Sequence, residues 1–201
     1  MAPRAVLAGL AVYVVSFAPV LGVLRPTYLG WLNYDASSSY LAFGDQLLDR
    51  GRSVLDVAPS TFEATVSGAI EAGQPMGALA PIAVVARLLR VDPVFVLQPY
   101  ISIALAMFAI AAYSLVRAVG VRARTAQVAV TVAGSSALML GVAWWGGVNE
   151  VVMVALLATA VAVIDDFDPA AHGPRRLLPL AIAIAAATAV YSQVTWLWLA
   201  L

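Results

Sequence analysis

The sequence predicts an all-α fold, a polytopic membrane helix bundle. We expect about five transmembrane helices, with two interfacial helices in the first external loop. Three observations carry this. Hydrophobic residues make up 63% of the 201 and charged residues 11%, with a mean hydropathy of +0.93; a soluble domain carries roughly 25% charged residues. Apolar runs of about 20 residues, enough to cross the hydrocarbon core, recur along the chain. The arginines gather in short segments between those runs.

Formal net charge is zero, so there is no basic footprint and no nucleic-acid partner is expected. There is no cysteine, which excludes a disulfide framework and thiolate chemistry. Every basic residue is Arg, and Ala and Val dominate the apolar set. That composition points to a high-GC bacterial gene and hence to the bacterial plasma (inner) membrane.

Met1 to Arg4 is a short basic start, and Ala5 to Leu24 is long enough to span. No small-x-small cleavage site follows it, so it reads as an uncleaved first span rather than a secretory signal. The segment 25–92 is the external loop of a single transmembrane domain, 1–201. Within it, Asp35 suits the cap of a helix running to about Arg50, with Gly51 at the C′ position. Tyr40, Leu41, Phe43, Leu47 and Leu48 recur at helical spacing, with polar residues between them, which describes an amphipathic interfacial helix. Ser60-Thr61-Phe62-Glu63 fits a capping box for a short helix ending near Gly73.

Met76 to Arg90 decides the topology. It is apolar but short, and it carries Arg87 and Arg90 on one predicted helical face. Pro93 to Val116, Ala126 to Trp145, Val148 to Ile164 and Leu177 to Leu201 are the further spans. The Arg117–Arg124 loop and the loop ending in Arg175-Arg176 are separated by two spans and therefore share a side. With Arg4 they form one inner face under the positive-inside rule only if Met76 to Arg90 does not cross. The N-terminus is then cytoplasmic, and Asp35, Gln74 and Glu150 all face outward.

The outer residues carry a resemblance. Asn33-Tyr34-Asp35 through Tyr40 to Gly51 is similar to the first external loop of the GT-C superfamily of integral-membrane glycosyltransferases. Gln74-Pro75-Met76-Gly77 resembles the Pro-rich start of that family's second juxtamembrane helix. The hairpin apex Trp144-Trp145-Gly146-Gly147-Val148-Asn149-Glu150 resembles its second acidic loop. The nearest likeness is to the protein-mannosyltransferase and aminoarabinose-transferase type. Three departures stand out: a single acid in the first loop, no Arg at the apex, and Ser192-Gln193 where a Lys is usual.

The resemblance implies a polyprenyl-phosphate-linked sugar donor, with Asp35 as the catalytic base. Tyr40, Gln74, Asn149, Arg87 and Arg90 are then substrate-binding candidates, and the two arginines are suited to a phosphate. Asp35 and Glu150 are the candidate oxygen ligands of a divalent cation, Mg or Mn. The other expected partners are membrane lipids. Such enzymes have further helices, and Trp196 to Leu201 stops within an apolar run. An N-terminal portion of a longer enzyme, completed by a missing C-terminal part or a further chain, is therefore expected.

Each residue also has a purely structural reading. Asp35 serves as a cap, and Asn149 with Glu150 opens a helix where a cap and an acid are favourable. Arg87 and Arg90 act as snorkelling anchors, and Trp144, Trp145, Trp196 and Trp198 as an aromatic belt. Tyr191, Ser192 and Gln193 hold helices together. His172 with Asp165, Asp166 and Asp168 forms a solvated inner loop. Two other functions stay open: a transporter subunit, against which the lack of mid-span charge counts, and a noncatalytic polytopic membrane partner.

Overall fold

The structure, a computed structural model, describes residues 2–23, 34–51, 53, 58–165 and 177–191; the side chains at 34–37 and 165 lie outside that description. The described residues are helical and contain no strand. In chain order the helices are α1 (Pro3–Val23), α2 (Tyr34–Arg50), α3 (Thr61–Glu71), α4 (Ala80–Leu89), α5 (Pro93–Ala118), α6 (Ala123–Gly134), α7 (Ala137–Trp145), α8 (Val148–Asp165) and α9 (Leu178–Val190). Two of them, α1 and α5, are long and apolar enough to cross a membrane; counting the α6–α7 pair as one bent span makes three. α4, α8 and α9 are shorter apolar helices.

The central helix is α5, which packs against α1, α4, α6, α7 and α8. Small residues let α1 approach it closely. A Cβ added at Gly9 would lie 2.8 Å from Ile110 Cγ1 and 3.1 Å from the Ala106 carbonyl. Ala5, Ala8, Gly9, Val12 and Ser16 form the buried stripe of α1, the small-residue packing by which helices associate where lipid removes the hydrophobic drive. The opposite stripe, including Leu7, Leu10, Val14 and Leu21, is exposed, as befits a surface that meets acyl chains.

The bundle has two distinct ends. At one, Ala5, Ala8, Tyr113, Ala126 and Val130 cluster, joining the start of α1 to the α5–α6 turn and its arginines. At the other, Gly77 N–H donates to the Ala189 carbonyl at 3.1 Å, so the segment before α4 sits on the end of α9. A Cβ at Gly77 would fall 2.5 Å from the Ala189 carbonyl carbon, so only glycine fits this contact.

Several sequence expectations meet the structure directly. Ser60 Oγ accepts from Glu63 N–H at 3.1 Å, and α3 ends before Gly73, which has φ 67°. Gly51 has φ 62° just past α2, the left-handed C′ position that glycine occupies at little cost. Met76 to Arg90 forms only the ten-residue α4, preceded by a turn.

Others need correction. Asp35 is not the N-cap: α2 begins at Tyr34, so Asp35 lies inside the first turn. Ala126 to Trp145 is not one continuous helix. It breaks into α6 and α7 with a 41° bend, where Ser136 leaves helical geometry and its Oγ caps α7 by accepting from Met139 N–H. Hydroxyl side chains compete for backbone groups in this way. Arg87 and Arg90 do not share a helical face, because Arg90 is the left-handed C-cap of α4 with φ 56°. The expected span from Leu177 is helical over Leu178–Val190. Ser192, Gln193, Trp196, Trp198, His172, Asp166 and Asp168 lie outside the described residues.

Candidate functional site

At the Gly77–Ala189 end, four parts of the chain converge: α2, the segment 74–79, the start of α8 and the end of α9. The α7–α8 hairpin is tight because Gly146 adopts φ 94°. Gly147 then leaves room for its neighbours. A Cβ there would lie 2.6 Å from Val142 Cγ1 and 3.1 Å from Glu150 Oε2. The Glu150 carboxylate therefore folds back over the first turn of α8, where the unpaired N–H groups and the helix dipole favour an anion.

Asn149, next to it, is 3% exposed, and its Oδ1 has no hydrogen-bond partner. A buried acceptor left unpaired costs of order 1–3 kcal/mol.

Tyr40 projects from α2 into this end and is half-buried. Burial raises its phenol pKa above the usual 10, the Glu150 carboxylate raises it further, and Tyr191 adds to the effect. The phenol thus stays protonated and remains a hydrogen-bond donor beside a carboxylate. The backbone of Asp35 is on the same helix, five residues earlier, about 7.5 Å along the axis.

Tyr40 also lines an open groove of about 470 Å³ between α2 and α3, together with Ser39, Phe43, Thr65, Gly68, Ala69, Ala72 and Gln74. Two of the predicted binding residues, Tyr40 and Gln74, thus share one cavity, and Tyr40 links it to Glu150.

The arginines stand apart. Arg87 pairs with Asp49 at 3.4 Å and donates to the Leu48 carbonyl at 3.3 Å, at the far end of α2 from Asp35. Its side chain is exposed there, as is Arg90. On the same stretch, burial, Asp92 and Asp49 raise the Asp45 pKa.

Among the described residues no group of three or more His, Cys, Asp or Glu side chains is placed to hold a metal ion. The expected Asp35–Glu150 cation pair turns on a side chain outside the description. The described oxygen donors at this end include the Glu150 carboxylate, the Asn149 amide and the Tyr40 phenol.

Sequence reasoning missed a second polar feature, inside the bundle. The Gln98 amide donates to the Ser16 carbonyl at 3.2 Å and to Ser102 Oγ at 3.4 Å. Trp144 Nε1 donates to the same Ser16 carbonyl at 3.2 Å. Pro19 lies inside α1 within the next turn, where a proline removes an N–H from the helical ladder and crowds the preceding carbonyls. A Gln in an otherwise apolar span was the available signal. Compared with protein-family models, curated proteins and solved structures, the chain matches none.

Proposed function

We propose that this chain is a membrane glycosyltransferase, or the N-terminal part of one. It moves a sugar from a polyprenyl-phosphate-linked donor to an acceptor hydroxyl at the external face of a bacterial plasma membrane. Five crossings with a cytoplasmic N-terminus fit this reading. They alternate the ends of α1, α5, the α6–α7 pair, α8 and α9, and they gather the arginine-bearing turns on one side.

The observation that carries the proposal is the convergence of Tyr40 with Glu150 and Tyr191 at one end of the bundle, on the helix that also bears Asp35. Asp35 takes the proton of the acceptor hydroxyl. The hydroxyl oxygen bonds to the anomeric carbon as the carbon–oxygen bond to the lipid phosphate breaks, and the phosphate keeps the electron pair. Tyr40, held protonated, donates a hydrogen bond, while the exposed Glu150 carboxylate accepts from sugar hydroxyls.

The test is transfer of radiolabelled sugar from a polyprenyl-phosphate donor in membranes carrying the full gene product. Asp35→Asn is expected to lower the rate by roughly 10²–10⁴-fold, the usual share of a general base. Unchanged transfer would remove Asp35 from the chemistry.

A further inference from the structure

The geometry points to the α2–α3 groove as the subsite for a neutral saccharide, and assigns the acceptor sugar of the proposed transfer to it. The inference rests on the transferase reading for the word acceptor, but the ligand class comes from the lining. The floor is apolar: Phe43 and Ala69 are buried, and Gly68 and Ala72 add little bulk. The rim is polar and uncharged, made of Ser39, Tyr40, Thr65 and Gln74. Among the described residues no charged side chain lines the groove.

A pyranose presents the matching pattern, a carbon–hydrogen face ringed by hydroxyls. Small-molecule sites generally combine an apolar wall with a few placed polar groups in roughly 300–1,000 Å³, and this groove holds about 470 Å³. Thr65 donates its own proton to the Thr61 carbonyl at 2.8 Å, which turns its oxygen outward as an acceptor. Tyr40 is kept protonated as a donor. Donor and acceptor on one rim suit hydroxyls, which are both. Among the described residues no cation lines the groove for an anionic sugar, and Arg87 is engaged by Asp49 elsewhere.

Gly68 provides a clean test. A Cβ at this position meets nothing within 4 Å, and replacing a helical glycine removes a cost of about 1 kcal/mol. Gly68→Leu therefore fills the groove without straining the fold. The protein is held in phosphatidylcholine nanodiscs, and saturation-transfer NMR follows mannotriose, a uronic-acid trisaccharide and n-octanol in turn.

Wild type is expected to bind mannotriose. Gly68→Leu is expected to weaken it roughly tenfold or more, about 1.4 kcal/mol, with unchanged helicity and a melting temperature no lower than wild type. Equal mannotriose binding by wild type and Gly68→Leu overturns the subsite, as does absence of binding. Equal binding of the uronic sugar overturns its neutral class. Octanol binding lost in Gly68→Leu, without saccharide binding, makes the groove an acyl-chain site instead. Absence of transfer by the wild-type gene product, with mannotriose binding intact, overturns the transferase reading and leaves the subsite standing.

Discussion

The indole Nε1 of Trp144 and the carbonyl of Ser16 lie 3.2 Å apart, and the Gln98 amide meets the same oxygen at 3.2 Å. One backbone acceptor on α1 thus fastens both α7 and α5. Each donor covers for the other. Trp144→Phe keeps an aromatic ring and removes the N–H, so the hydrogen-bond part of its cost is expected to be only about 0.6 kcal/mol, typical of an interhelical hydrogen bond in a membrane protein. Gln98→Leu also removes the unpaired Oε1, which offsets part of its loss. The double variant leaves the Ser16 carbonyl without either donor, and its cost is expected to exceed the sum. Reversible unfolding in mixed micelles, read as a double-mutant cycle, checks this; strict additivity would show that the two bonds act independently.

Gly77 and Gly68 make a matched pair. Gly77→Ala drives a methyl into the Ala189 backbone, and overpacking of this kind costs about 1–3 kcal/mol. Gly68→Ala meets open space and is expected to be neutral or slightly stabilising. Melting temperatures of the two variants should therefore move in opposite directions.

The Tyr40 phenol is raised by burial first and by Glu150 second. Glu150→Gln is expected to move its titration back toward 10 without reaching it, followed by tyrosinate absorbance. The sign for stability follows from the folded pKa lying above the unfolded one. The native state holds its proton longer, so stability is full below pH 10 and falls as pH rises from there through the folded value.

Asp45 is raised by burial, then by Asp92 and Asp49. Its folded pKa also lies above the unfolded value near 3.8, so stability falls as pH rises from about 4 through the folded pKa. Asp45→Asn removes the repulsion. The group is largely solvated and screened, so the gain at pH 7 is expected to be on the order of 0.5 kcal/mol. It should vanish in melts taken at pH 3.

Much of the fold was legible because membrane physics leaves few options. The apolar runs of α1 and α5, the Ser60 cap and the glycine stops at 51 and 73 follow from local chemistry. The break at Ser135-Ser136 was not legible, since hydropathy continues through it while hydroxyls redirect the backbone. The site was half legible. Asp35, Gln74 and Glu150 were expected on one face; the Glu150 charge acts there on the Tyr40 phenol, whereas the Asp35 side chain lies outside the described residues. Arg87 was matched to a phosphate by charge alone, whereas Asp49, 38 residues away in the chain, holds it. Tyr191 joined the cluster through the length of α9, which no local pattern specifies.

The Gly77–Ala189 hydrogen bond also orders the chain in time. Ribosomes deliver α2, α3 and α4 early, yet the backbone group that seats the segment before α4 arrives more than a hundred residues later. Until α9 is inserted, Gly77 has no carbonyl to meet. The end bearing Tyr40 and Glu150 is therefore closed last, once the chain has been made as far as Ala189.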